Sequence, residues 1–153
     1  MLSYIPMTAV QGAADAFVEA SVVTGLQGTQ SSYRLRELLL ELPPMSSAAA
    51  NDMQVQINRR SKAAIASISD PDVIFNFREQ IQWATAVGIL RRERSLRFVF
   101  SEDEDVRIVE ETLYLDVDSA STGAANTIVV RLGVETVRIS ETDRLSLLVR
   151  SLG

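Results

Sequence analysis

Apolar and polar residues alternate along much of the chain. Over 15–24, Ala16, Val18, Ala20 and Val22 share one face and Asp15, Glu19 and Ser21 the other, with Phe17 as the exception. The run stops at a turn region between Gly25 and Gly28. A period of two predicts a half-buried strand. The same pattern recurs where Met53, Val55 and Ile57 alternate with Gln54, Gln56 and Asn58, and where Leu96, Phe98 and Phe100 alternate with Arg97 and Val99. Leu113, Leu115 and Val117 oppose Tyr114, Asp116 and Asp118, and Ile128, Val130, Leu132 and Val134 form a last apolar face. Near Gly133 the phase shifts to Val137 and Ile139, and glycine inside a strand often marks a bulge. The apolar run over 83–90 predicts one more strand.

Segment 31–42 fits two periods. Leu35, Leu38, Leu39 and Leu42 recur at helical spacing, in a stretch rich in the helix formers Leu, Glu and Arg. Leu38, Leu40 and Leu42 also alternate with Glu37 and Glu41, ending at Pro43 and Pro44. Local propensity favours helix; the neighbouring strands favour strand, which is the reading adopted. Ser69-Asp70-Pro71-Asp72 predicts a mid-chain helix start, an Asx cap followed by proline at the first helical position, with Val73, Ile74, Phe77 and Ile81 as its buried stripe. Ser140 and Asp143 resemble a capping pair, and Leu145, Leu148, Val149 and Leu152 fall on one face of a short C-terminal helix over 140–153. Residues 1–13 read as an N-terminal arm and 14–139 as the body. About seven or eight short strands broken by turns predict a mainly β antiparallel sandwich or barrel.

The chain has 153 residues, 46% hydrophobic and 23% charged, enough for one domain with a sizeable core. It contains no Cys and no His. Disulfides, thiol nucleophiles, Zn–thiolate sites, Ser–His–Asp triads and imidazole ligation are therefore excluded, and an enzyme is not expected. No cofactor is expected either. The net charge is −5, which argues against a dedicated nucleic-acid binder. Lys62 is the sole lysine, so the remaining basic residues are arginines, suited to bidentate carboxylate pairing at packed interfaces. The apolar N-terminus lacks a basic flank and is interrupted by Pro6, unlike a signal peptide. No stretch is long and apolar enough to predict a membrane span.

Four constellations bear on function. Arg91, Arg92, Arg94 and Arg97 form the densest basic cluster, followed by Arg59, Arg60 and Lys62; either would meet nucleic-acid phosphates or the carboxylates of a neighbouring subunit. The acidic run over 102–105, with Asp116 and Asp118, offers oxygen ligands for Ca²⁺ but lacks EF-hand spacing, and a solvated loop is the better reading. The small residues over 119–123 lack the lysine of a phosphate loop. Finally, both ends are apolar. Leu2, Tyr4 and Ile5 at one end, and Leu145, Leu148, Val149 and Leu152 at the other, are candidate subunit-interface residues, since exposed apolar patches mark interfaces.

The layout resembles a viral single jelly-roll capsid protein. The likeness rests on the strand pattern of 33–43 ending at prolines, a strand with Gln54, Gln56, Asn58 and Arg59 on its polar side, and then a helix opened by Asp70-Pro71-Asp72. It is greatest over 113–120, the small-residue loop, 126–132 and the capped final helix. The resemblance implies a jelly-roll sandwich, a structural role in a virion and partners that are copies of the chain in a large homo-oligomer, with other capsid proteins as further partners. It departs from many coat proteins in having no basic residue before Arg34, which leaves nucleic-acid contact open. The alternative function is a small β-sandwich binding module for a carbohydrate or partner protein, for which Trp83, Tyr33 or Tyr114 would have to form an exposed platform.

Overall fold

A computed structural model describes residues 2–27, 30–43, 50–82, 94–120 and 125–152, with side chains at all of these except 50, 51, 81, 82 and 150–152. Alternation dominates it. The elements run β1 (Ser3–Val10), β2 (Val18–Val23), β3 (Ser31–Leu42), β4 (Ala50–Asn58), β5 (Val73–Gln82), β6 (Arg94–Val99), β7 (Arg107–Ile108), β8 (Thr112–Ala120), β9 (Thr127–Arg138) and α1 (Glu141–Leu152). One sheet has the order β1-β9-β3-β6, with the short β7 also pairing β3; the other has the order β2-β8-β4-β5. Every pairing is antiparallel. The pairs nest: first strand with last, second with second-last, β3 with β6 and β7, and β4 with β5 at the centre. Successive rungs of that nested hairpin fall in alternate sheets, which is the jelly-roll arrangement.

The core is one cluster between the sheets. Ile5, Met7, Leu38, Leu40, Ile128, Val130 and Leu132 enter it from the first sheet. Met53, Val55, Ile57, Leu113, Leu115 and Val117 enter from the second. These are the alternating apolar positions of the sequence, each strand contributing every other residue.

β3 resolves the conflict over 31–42. Leu35 pairs with Val134 but Glu37 pairs with Gly133, so Arg36 is an extra residue. A bulge of this kind resets the side-chain phase, and both Leu35 and Leu38 are buried although three positions apart. The helix-like step in the sequence is thus the bulge. It lies in β3, opposite Gly133, rather than in β9 at Gly133 itself, and the glycine has another task. A Cβ there would stand 2.5 Å from Glu37 Cγ and 3.2 Å from Tyr4 Cε1. The glycine leaves room for two side chains that cross over it.

Three expectations are corrected. The mid-chain helix does not form. Asp70 does build an Asx turn, accepting from Asp72 N at 2.9 Å, and its carbonyl accepts from Val73 N at 3.1 Å. The turn then delivers the chain into β5, whose Phe75 and Phe77 pair with Ile57 and Val55 of β4. A run of β-branched and aromatic residues beside an available strand overrides the cap. Residues 1–13 are not an arm. Ser3–Val10 is β1, and it pairs with β9 from Ser3↔Val134 to Val10↔Thr127. Ile5 consequently lies in the chain's own core rather than at a subunit interface. The strand expected over 83–90 lies outside the described residues.

The C-terminal helix forms as expected. Ser140 Oγ accepts from Asp143 N at 3.1 Å, and Ser140 O accepts from Arg144 N at 3.0 Å. Glu141 and Asp143 place negative charge in the first turn, where the helix dipole favours it.

Candidate assembly surfaces

The two outward sheet faces differ sharply. On the second sheet, Gln56, Asn58 and Asp116 point away from the core yet are fully buried, because the loop over 59–72 lies across them. Gln56 grips that loop by its backbone: Oε1 accepts from Ala66 N at 3.0 Å and Nε2 donates to Ala66 O at 2.7 Å. Its Nε2 also reaches Asn76 Oδ1 at 2.9 Å. Glu19 on β2 accepts from Ser61 Oγ and, at 2.8 Å, from Lys62 N. Lys62 Nζ donates to Asp72 Oδ2 at 2.7 Å and to Asp70 Oδ2 at 3.0 Å, and hydrogen bonding to Asp72, above all, raises its pKa despite burial. Arg59 Nη1 closes the end of the loop on both oxygens of Glu110, at 2.9 and 2.8 Å. The part of this face around Gln56, Asn58 and Asp116 is covered by the chain's own loop.

The first sheet is open. Its outward positions fall in rows across the strands, such as Tyr4–Gly133–Glu37–Val99 and Pro6–Arg131–Leu39–Arg97. Glu37 is the anchor. Tyr4 Oη donates to its Oε1 at 2.5 Å, and Arg97 donates to its Oε2 from Nε at 2.9 Å and Nη2 at 2.8 Å. The Tyr4 hydrogen bond, followed by that of Arg97, holds the Glu37 carboxyl below the ordinary range; the same bond raises the Tyr4 phenol. Tyr4, Pro6, Leu39 and Arg131 surround a shallow depression of about 350 Å³. Val99 and Val10 add exposed apolar surface.

The sequence-predicted residues divide accordingly. Tyr4 and Arg97 come together on Glu37, a convergence that crosses the two groups proposed from sequence. Leu2 is half-buried, and Ile5 is core. Arg94 pairs with Glu79, joining β6 to β5 and so one sheet to the other. At that end Phe98 also meets Phe75 and Phe77 edge-on, with centroids 5.1 and 6.0 Å apart. Arg91 and Arg92 lie outside the described residues. On α1, Leu145 and Val149 remain 56% and 65% exposed, while Leu148 is half-buried. The side chain of Leu152 is outside the description. Arg144 tethers the first turn to Glu111 at 3.5 Å.

The acidic run does not gather with Asp116 and Asp118. Asp105 receives Arg107 at 2.8 Å and Arg34 at 3.1 Å, whereas Asp116 is buried under the 59–72 loop on the other sheet. Sequence reasoning missed Glu37 and Gly133, whose roles depend on cross-strand register. It also missed the pairing of Glu19 with Asp116; the polar alternation of β2 and β8 was visible, but not the loop that covers it.

No family profile matches this sequence, and no curated protein matches it. Solved structures do. The VP1 protein of KI polyomavirus, in a structure of its unassembled pentamer, superposes with a TM-score of 0.54 at 6% identity, over 91% of this chain and 95% of that one. The tomato aspermy virus structure gives a TM-score of 0.43 at 11% identity, over 92% of this chain and 79% of that one. Latent PorU from Porphyromonas gingivalis gives 0.46 at 14% identity over 90% of this chain, although only 13% of PorU is involved. The nested strand order, with the superposition on polyomavirus VP1, makes the fold a jelly roll like that of VP1.

Proposed function

We propose that the chain is a non-enzymatic structural subunit that associates with copies of itself to build a viral shell. The observation that carries this reading is α1. The capped helix leaves Leu145 and Val149 of its apolar stripe exposed and is packed extensively against none of the described strands. An exposed apolar stripe of this kind marks a contact surface. The open face of the first sheet, with Tyr4, Pro6 and Leu39 beside Arg131, provides a second adhesive surface. The capsid-type fold supports the reading, as does the pentameric association of polyomavirus VP1. Subunit contacts of the order of 1,200–2,000 Å², repeated about symmetry axes, would hold the shell.

The binding-module alternative requires an exposed aromatic platform. Tyr33 and Tyr114 are half-buried, and Tyr33 Oη is engaged with Thr24 O at 3.0 Å. Trp83 lies outside the described residues.

Deleting 141–153 tests the proposal. Assembly is expected to fail while the sandwich stays folded, because none of the described side chains of α1 joins the core. Shells of unchanged size from the shortened chain would overturn the role of α1. Deleting 1–10 is no substitute: it removes β1 with Ile5, Met7 and Ala9, so folding is expected to fail with assembly.

A further inference from the structure

We propose that Glu19 and Asp116 form a proton-sharing carboxyl pair that latches the 59–72 loop onto the second sheet and lets it go when the shared proton is lost. The inference is independent of shell formation.

The geometry begins with register. Glu19 on β2 stands opposite Asp116 on β8, and Asp116 stands opposite Gln56 on β4, all on the outward face. Asp116 is fully buried. Its Oδ2 accepts from Asn58 Nδ2 at 2.5 Å, while its Oδ1 receives no donor among the described residues. Register sets the Glu19 and Asp116 carboxyl groups side by side on neighbouring strands, within reach of a shared hydrogen bond. Two carboxyl groups make such a bond only if one of them carries a proton. Placing that proton on Asp116 turns its orphaned oxygen into a donor and leaves Glu19 as the acceptor.

The surroundings favour this assignment. Glu19 already accepts from Ser61 Oγ and Lys62 N, so it is stabilised as the anion. Against the raising effect of burial, the hydrogen bonds from Asp116, Lys62 N and Ser61 keep its pKa low. Burial first, then Glu19, pushes Asp116 up to about 7. The charged groups facing the pair are few. Lys62 from the loop is the nearest cation, but it is shared with Asp70 and Asp72, and Asp72 also holds Arg60 at 3.6 Å. From β4 come only the neutral amides of Gln56 and Asn58, and from β5 the amide of Asn76. Asp118 is the remaining carboxylate on the same face of β8.

Loss of the proton places two negative charges side by side under the loop. Glu19 is also the residue whose carboxylate holds Ser61 and Lys62 N. Repulsion from Asp116 therefore acts directly on a contact that ties the loop down. Opening the loop admits water to both carboxylates and relieves the charge.

The test uses the full chain. The carboxyl carbon of Asp116 is titrated by NMR, and amide hydrogen exchange at Lys62 and Ala66 is measured at pH 6 and pH 8.5, corrected for intrinsic rates. The Asp116 midpoint is expected near 7, and protection at both amides is expected to fall by about tenfold or more at the higher pH. In Asp116→Asn, whose amide donates to Glu19 without titrating, protection is expected to be equal at the two pH values; Glu19→Gln is expected to behave likewise. An Asp116 midpoint below about 5 would overturn the proposal, since an ordinary carboxyl titrates there. So would loop protection that does not change with pH in the parent chain, or that falls equally in Asp116→Asn.

Discussion

Replacing Gly133 with alanine probes how closely the outward row of the first sheet is packed. Gly133 does not have a left-handed φ, so an alanine backbone is unstrained there. On conformational grounds alone, Ala in a strand would be favoured over Gly by roughly 0.5–1 kcal/mol. Against this stands the new methyl, 2.5 Å from Glu37 Cγ and 3.2 Å from Tyr4 Cε1. Glu37 cannot move without loosening its bonds to Tyr4 and Arg97, whose donors converge on its two oxygens. Overpacking of this kind costs about 1–3 kcal/mol, so the contact outweighs the backbone gain and a net loss of about 1–2 kcal/mol is expected. Urea unfolding at constant m-value would measure it. A Glu37→Ala background supplies the control: with the obstructing side chain gone, most of the cost of the alanine should vanish. Equal cost in both backgrounds would refute the steric argument, and a stabilising Gly133→Ala would show that the row is loosely packed.

Four further outcomes follow from the same structure. Leu115→Ala, at a fully buried position central to β8, should destabilise by about 2–5 kcal/mol in thermal or urea melts. Ser140→Ala removes the acceptor for Asp143 N and should weaken α1 by about 1 kcal/mol, read as faster amide exchange over 141–149 with the core unaffected. The folded chain holds a proton on Asp116 that the unfolded chain releases near 3.8, so this group's contribution to stability declines as pH rises from about 4 to about 7 and is level above. Asp116→Asn should remove that decline from the stability–pH profile. Glu19 acts in the opposite sense: its lowered pKa gives stability that is present above 4.5 and is lost as the pH falls through its folded value.

Much of the sandwich was legible because a strand buried on one face writes its orientation into every second residue. β2, β4, β8 and β9 are the direct expression of that rule. The C-terminal helix was equally readable, since cap and apolar stripe agree. β5 was not. Its Asp-Pro entrance is chemically the same at a helix start and at an Asx turn into a strand, and the deciding influence is pairing with β4 across the intervening loop, which needs the register to be known first. The bulge at Arg36 misled for a related reason, because one inserted residue converts a period of two into a helical step. The outward sites were the least legible. Glu37 lies 33 residues from Tyr4 and 60 from Arg97, so nothing local announces that the three meet. The apolar N-terminus was assigned to an arm and a subunit contact because its partner, β9 of the same chain, is visible only once register is known.

The central claim is that this fold associates with itself. Light-scattering mass on the purified full-length chain, with negative-stain images of the same fraction, tests it most directly. Uniform closed particles of megadalton mass are the predicted result, lost on deletion of 141–153. A 16.8 kDa monomer at every salt concentration and pH tried would contradict the account.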